Sequence, residues 1–125
     1  MGPIQQQRTI LIVEDELFIR MSATTTLEDA GFLVLEAKNS AQALDLLSRQ
    51  SEISILITDV RMPGLMDGLA LIARVKIDHP SVRSIVVSGD TSSDQARKAG
   101  ACGFVAKPYL PKTLLRAVND SVLER

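Results

Sequence analysis

Acidic residues follow two of the most apolar runs in this 125-residue chain. Glu14 and Asp15 come directly after ILIV, and Asp59 comes directly after ILIT. Two later apolar runs lead to a hydroxyl, that of Ser88, and to an ammonium, that of Lys107. If these runs are neighbouring strands of one parallel sheet, their carboxyl ends meet at a single edge and the five side chains gather there.

Such a gathering predicts a site for a divalent cation and a phosphoryl group. Three carboxylates held close together repel one another, so each raises the pKa of the others until a cation relieves the repulsion. Mg²⁺ suits such a site, because it binds one or two carboxylates together with water and phosphate oxygens. Asp59 could then act as a nucleophile that forms an acyl phosphate, while Mg²⁺ and Lys107 neutralise the phosphoryl oxygens.

The elements that would position these residues alternate along the chain. Runs typical of strands cover residues 9–14, 33–37, 53–59, 83–88 and 102–107, and segments with helical spacing separate them. The first, third and fourth runs are continuously apolar, which is expected for strands covered on both faces. The alternation predicts one α/β domain over residues 9–125, with a parallel sheet between two layers of helices, after a flexible lead-in over residues 1–8.

Capping residues mark the expected helix boundaries. Asn39 and Asp67 suit the N-caps of the second and third helices, Gly31 should end the first, and Pro111 suits the first turn of the last. Residues at helical spacing are Phe18, Met21, Thr24 and Leu27 in the first helix, and Leu114, Leu115, Val118 and Val122 in the last.

The composition argues against several functional classes. Lys and Arg total 14 against 15 Asp and Glu, so the chain lacks a basic field that would hold nucleic acid or an anionic membrane. No apolar run approaches the roughly 20 residues of a membrane span, and the first eight residues have no apolar signal-peptide core. Cys102 is the only cysteine, which we expect to be buried and inert, and this usage favours a cytoplasmic protein.

Four motifs together resemble a known family. ILIVEDE, ITDVRMPGLMDG, VVSG and AKPY are similar to motifs of the response-regulator receiver domain of bacterial two-component signalling, and the resemblance covers about residues 9–123. It implies the flavodoxin-like (βα)₅ fold, a doubly wound parallel sheet with strand order 2-1-3-4-5. It also implies that the chain is either a stand-alone regulator or a domain of a longer protein.

The resemblance implies a role for each acid. Asp59 would be the phosphoacceptor. Mg²⁺ would be bound directly by Asp15 and Asp59 and by the backbone carbonyl of Arg61, with Glu14 acting through water.

The same resemblance implies a conformational switch. Ser88 would hydrogen-bond the phosphoryl group, and Phe104 would rotate inward as the hydroxyl moves, although a Phe at this position is also suited to the core. Lys107 would contact the phosphoryl group, and its bond to Pro108 would be cis.

The implied function is transfer of a phosphoryl group from a phosphohistidine to Asp59, followed by slow self-hydrolysis. The donor would be a sensor histidine kinase or a histidine phosphotransfer protein, and the output would be a downstream protein partner, with a homodimer possible and no direct contact with nucleic acid or membrane. The chain would not be an enzyme acting on other molecules.

Two other functions remain open on the residues alone. A phosphatase with an Asp nucleophile needs a second acid two residues later, where this chain has Arg61. A receiver-like domain regulated without phosphate is disfavoured by the full set of acids together with Ser88 and Lys107.

Two spacings depart from the family. The loop after Asp59 contains one extra residue, within Gly64–Met66, which should bulge next to the site. The segment from Ser88 to Lys107 is shorter by roughly three residues, nearly one helical turn. Because the segment is also very polar, we expect a shortened or irregular fourth helix that partly uncovers the sheet near Val87 and Val105.

Overall fold

A five-stranded parallel sheet forms the centre of the molecule. The computed structural model describes residues 8–123, and the strand order is β2-β1-β3-β4-β5. The strands are β1 Thr9–Val13, β2 Leu33–Ala37, β3 Ile53–Asp59, β4 Arg83–Ser88 and β5 Gly103–Ala106. All four pairings are parallel, so the predicted fold and strand order are confirmed.

Within the described residues, four helices connect the strands, and a fifth helix follows β5. They are α1 Leu17–Asp29, α2 Ser40–Arg49, α3 Gly68–Asp78, α4 Ser93–Ala99 and α5 Pro111–Leu123. Among the described residues, no helix has the length and apolar character required to cross a membrane. The division into a lead-in over 1–8 and a domain over 9–125 stays a prediction, because residues 1–7 and 124–125 lie outside the described part.

The alternation of side chains along each strand builds two separate cores. In β4, Ile85 and Val87 belong to one apolar cluster, while Val86 belongs to the cluster on the opposite face of the sheet. β1 is buried at every position, as expected for a strand between two layers of helices.

Side-chain caps begin the helices at the predicted places. The carboxylate of Asp67 accepts a hydrogen bond from the backbone N–H of Ala70 at 2.9 Å, and the Asn39 side chain accepts one from Gln42 at 2.8 Å. Each cap satisfies a backbone donor in the first turn that has no partner within its helix. The cap of Asp67 is the one that bears on function, since it fixes where the loop after β3 ends.

Of the four α1 residues that the sequence places at helical spacing, only the last two face the core. Thr24 and Leu27 are buried, whereas the Phe18 side chain is 75% exposed and that of Met21 is 49% exposed. The prediction of a helix was correct, but the apolar spacing does not mark one continuous buried face.

The fourth helix is short, as predicted, but its shortness does not expose the expected strand residues. Val87 and Val105 are buried, because their side chains point to the opposite face of the sheet and pack in one cluster with Leu114 and Val118 of α5. The expectation of an uncovered sheet at these two positions was therefore wrong. Of the seven residues in α4, Ala96 alone is buried.

The extra residue after β3 is accommodated at the tip of its loop. Gly64 adopts a φ of 109°, a left-handed conformation that other residues rarely adopt, and the Leu65 side chain next to it is fully exposed. The hydroxyl of Ser40 donates a hydrogen bond of 2.9 Å to the carbonyl of Met66, which ties the end of the loop to α2. The predicted bulge therefore lies at Gly64 and Leu65.

We predict that α4 exchanges its amide hydrogens faster than α3. Because α3 buries Leu71, Ile72 and Val75 and α4 buries only Ala96, opening α4 exposes far less apolar surface. Hydrogen exchange of the native protein should show protection factors in α4 lower by about tenfold or more. Equal protection in the two helices would contradict this expectation.

Candidate functional site

The register of the sheet brings the predicted site residues to one edge. Asp59, the last residue of β3, is paired with Val87 of β4, and Ser88 follows immediately. Ser88 is paired in turn with Ala106, the residue before Lys107. The predicted convergence of these groups at the carboxyl ends of the strands is therefore observed.

The ammonium of Lys107 joins two of the carboxylates. Its Nζ lies 3.1 Å from Oε1 of Glu14 and 3.1 Å from Oδ2 of Asp59. All three side chains are largely shielded from solvent, with exposed fractions of 22% for Lys107, 7% for Glu14 and 13% for Asp59. Charge-assisted hydrogen bonds in such a shielded setting are stronger than those at an open surface.

Glu14, Asp15 and Asp59 form an acidic cluster. One carboxylate oxygen of each residue lies within 4.8 Å of the others, a spacing that could hold a metal ion. Asp15 is exposed and, with Arg61 and Asp67, lines an open cleft of about 410 Å³. The cluster is thus accessible from solvent on the side of Asp15, and hard oxygen donors of this kind fit a cation such as Mg²⁺.

Burial and hydrogen bonding act in opposite directions on the charges of the site. Burial raises the pKa of the Glu14 carboxyl, although hydrogen bonds from the backbone N–H of Glu16 and from Lys107 partly offset the effect. Burial alone would lower the pKa of the Lys107 ammonium, but its hydrogen bonds to Asp59 and Glu14 outweigh burial and raise it. The ammonium is therefore firmly held in its charged form.

The backbone around Asp59 is fixed by close packing against the start of α3. Oδ1 of Asp59 accepts a hydrogen bond of 2.8 Å from the N–H of Val60, and the carbonyl of Val60 accepts one of 2.8 Å from Gly68. A Cβ atom at Gly68 would collide with the backbone carbonyl oxygen of Asp59. Glycine is therefore required here for a close approach of two backbone segments.

Arg20 supports the acidic cluster from α1, and the sequence interpretation missed it. Its Nη1 donates a hydrogen bond of 2.8 Å to the carbonyl of Glu14, and its Nε lies 2.8 Å from Oε1 of Glu36. The Arg20 side chain is only 14% exposed. Its one signal in the sequence is that α1 contains no other basic residue.

The hydroxyl of Ser88 is engaged by the loop that follows β4. It donates a hydrogen bond of 3.2 Å to Oδ1 of Asp90 and accepts bonds from the N–H groups of Asp90 and Thr91 at 3.2 and 3.1 Å. Oδ2 of Asp90 lies 2.6 Å from Nε of Arg61. Asp90 was not among the predicted site residues, since no motif marks it.

The remaining predicted residues lie where the strands place them. Phe104 is half-buried, is paired with Val86 and packs against the apolar cluster that contains Ala96, in keeping with a core position. The peptide bond between Lys107 and Pro108 is cis, as predicted. The Arg61 carbonyl as a metal ligand and Glu14 as a ligand through water stay predictions. Cys102 is half-buried and not buried as expected.

Comparisons with known proteins point to one family. The sequence model of the response regulator receiver domain matches residues 10–119. The chain is 35% identical over 116 residues to the sensor kinase CckA of Brucella abortus, an alignment that covers 90% of this chain and 12% of the kinase. It is 32% identical over 117 residues to a chemotaxis protein CheY homolog of Campylobacter jejuni, with 89% of each chain covered.

The fold is similarly shared with solved structures. A CheY-like response regulator receiver domain protein from Methanospirillum hungatei superimposes with a TM-score of 0.86 at 26% identity, and the alignment covers 94% of both chains. The chain thus spans a small part of the sensor kinase but most of the chemotaxis and receiver proteins.

We predict that Gly68→Ala destabilises the protein. The added methyl group would collide with the Asp59 carbonyl, and overpacking of this kind costs about 1–3 kcal/mol. Urea unfolding measures the loss. Gly89→Ala is the matched control, because its Cβ would lie 3.8 Å from the nearest atom, at an ordinary contact distance from Lys107. Equal stability of the two variants would contradict the close approach.

We also predict that Glu14→Gln changes how stability depends on pH in protein kept free of metal with EDTA. Because the pKa of Glu14 is raised above its ordinary value of 4.5, its contribution to stability is fully present below that value and is lost as pH rises through the folded-state pKa. Glutamine cannot ionise, so the unfolding free energy of the variant, relative to that of the unmodified protein, should increase as the pH rises above 4.5.

The measurement for Glu14 is urea unfolding at a series of pH values below and above 4.5. Glu52, exposed on the turn before β3, provides a control through Glu52→Gln, which makes the same change of charge. If the unfolding free energies of the Glu14 variant and the unmodified protein differ by the same amount at every pH, folding does not raise the pKa of Glu14.

Proposed function

This chain belongs to the response regulator receiver domain family of two-component signalling, and we propose that Asp59 is its phosphoacceptor. A carboxylate oxygen of Asp59 attacks the phosphorus of a phosphohistidine on a histidine kinase or a histidine phosphotransfer protein. The bond between phosphorus and the imidazole nitrogen breaks, an acyl phosphate forms, and the histidine leaves with its electron pair.

The observation that carries this proposal is the bridge from Lys107 to both Glu14 and Asp59 at the carboxyl edge of the sheet. The acceptor carboxylate is fixed by Val60 N–H on Oδ1 and by Lys107 on Oδ2, so it is oriented before a donor arrives. An ammonium at this distance can follow the negative charge as it moves onto the phosphoryl oxygens.

The acidic cluster is suited to a divalent cation, and we propose Mg²⁺ bound by Asp15, Asp59 and the backbone carbonyl of Arg61, with Glu14 acting through water. When bound, Mg²⁺ neutralises charge on the phosphoryl oxygens. The chain's own contribution is to hold the carboxylates in place, through Arg20 on the Glu14 carbonyl and Lys107 on the buried oxygens.

We propose that phosphorylation shifts the conformation of the chain through Ser88 and Phe104. The hydroxyl of Ser88, 2% exposed, lies at the end of the strand beside Asp59 and would turn toward the new phosphoryl group. Phe104 packs on the side of the sheet that α4 covers, where an inward rotation would change the surface that a partner contacts.

Partners and location complete the proposal. The family implies contacts with a histidine kinase and a downstream effector protein, and a homodimer is a further proposal. We propose no direct contact with nucleic acid or membrane, no catalysis beyond self-phosphotransfer and autodephosphorylation, and a cytoplasmic location, which the single cysteine favours.

Acetyl phosphate with Mg²⁺ tests the proposed acceptor, with intact mass as the measurement. We expect a mass increase of one phosphoryl group that is absent in Asp59→Asn and absent when EDTA removes the metal. Asn keeps the shape of the side chain but is far less nucleophilic than a carboxylate, so the fold should survive while the adduct is lost.

Asp67→Asn serves as the control for that experiment, because Asp67 caps α3 and asparagine caps nearly as well. Continued labelling of Asp59→Asn would place the acceptor elsewhere. Steady release of phosphate at many turnovers per minute would indicate a phosphatase instead, and an unmodified protein that neither binds Mg²⁺ nor gains mass would indicate regulation without phosphate.

A further inference from the structure

The carboxylate of Asp90 connects two groups that flank the phosphorylation site. Oδ1 accepts a hydrogen bond of 3.2 Å from the hydroxyl of Ser88, and Oδ2 lies 2.6 Å from Nε of Arg61. Arg61 is two residues past Asp59, and Ser88 is at the end of the neighbouring strand. One side chain thus spans the loops that follow β3 and β4.

Ser88 cannot serve a phosphoryl group while it keeps all of these contacts. Its single hydroxyl proton points at Asp90, and its oxygen accepts from the N–H groups of Asp90 and Thr91. A hydroxyl has only one proton to donate, so donation to a phosphoryl oxygen requires the bond to Asp90 to break.

We propose that Asp90 is a positioning residue that holds the Ser88 hydroxyl away from the phosphoryl site, and that Arg61 holds Asp90 in that place. The proposal rests on the proposed function, since it assigns a resting state to the same switch. The three residues Arg61, Asp90 and Ser88 are called the latch below.

The exposure of the latch suits a contact that must open. The side chains of Arg61 and Asp90 are 82% and 49% exposed, so water screens their ion pair and makes it weak. Ser88 is buried, but its hydrogen bond to Asp90, at 3.2 Å, is longer than a strong hydroxyl–carboxylate bond. A phosphoryl group with several acceptor oxygens can therefore compete for the hydroxyl.

Opening of the latch would displace the short loop that leads directly into α4. Ser92, the N-cap of α4, is four residues after Ser88, and its hydroxyl accepts a hydrogen bond from the N–H of Gln95 at 3.1 Å. Since α4 contacts the core only through the small side chains of Ala96, which is buried, and Ala99, which is partly buried, a displaced loop can reorient α4 without breaking a large apolar contact.

Titration with beryllofluoride, a stable mimic of the phosphoryl group, in the presence of Mg²⁺ tests the latch. We expect Asp90→Ala to lower the apparent dissociation constant by about threefold to tenfold, because the hydroxyl no longer has to leave a carboxylate. Asp90→Asn keeps a neutral acceptor for Ser88 and should show a smaller decrease. Arg61→Gln should also show a decrease, of about twofold to threefold.

The Arg61 variant separates the latch from simple charge effects. Removing a cation beside the site would weaken binding of an anion, whereas releasing Asp90 strengthens it. Asp94→Ala, which removes an exposed acid paired with Arg97 on α4, is the control for loss of negative charge and should match the unmodified protein.

A second measurement reads the latch without metal or phosphate. Hydrogen exchange of the Asp90 and Thr91 amides, which donate to Ser88, should speed up in Asp90→Ala and in Arg61→Gln but not in Asp94→Ala.

Three results would overturn the proposal. Equal increases in affinity for Asp90→Ala and Asp90→Asn combined with a decrease for Arg61→Gln would assign the effect to charge alone. Unchanged affinity and unchanged exchange in every variant would show that the contact has no influence on the switch. If the unmodified protein fails to bind beryllofluoride, the proposed function and the latch both fail, whereas normal binding with unresponsive variants removes the latch alone.

Discussion

The contact between one ammonium and two shielded carboxylates is the constraint on which the site depends. Glu14 directly follows β1 and Asp59 ends β3. Without the Nζ of Lys107 between them, the two shielded carboxylates would repel each other. Three strands must therefore end in register for the charges to balance. The parallel sheet and the clusters on its two faces provide that register, so packing far from the edge determines whether the acids can coexist.

Most of the fold follows from short-range patterns that the sequence displays openly. Continuous apolar runs predicted β3 and β4 to the residue, and the caps at Asn39 and Asp67 marked where two helices begin. The predictions that failed concerned which side of a strand or helix faces the core. The parity of β4 turns Val87 toward α5 and not toward α4, and the exposed Phe18 lies in a helix whose spacing alone does not reveal which turns meet the core.

The same distinction applies to the site: residues placed by their own strand could be predicted, whereas residues that depend on partners distant in the sequence could not. Acids at strand ends could be predicted because the strand itself carries them to the edge. Arg20 and Asp90 could not, because each acts through partners that meet it only in the folded chain: the Glu14 carbonyl for Arg20, and Arg61 for Asp90. Neither residue is marked by a motif. Supporting contacts of this kind depend on side-chain direction, which spacing along the chain does not specify.

The close approach of Gly68 to Asp59 divides the loop after β3 into a base and a tip. The hydrogen bond from Gly68 to Val60 closes the base, and the bond from Ser40 to Met66 ties the end of the loop to α2. The extra residue is accommodated at the tip of the loop, at Gly64 and Leu65, away from the closed base. The tip of the loop can therefore lengthen or change sequence while the closed base keeps the geometry of Asp59. A surface that a partner could recognise can thus vary without a change in the reactive site.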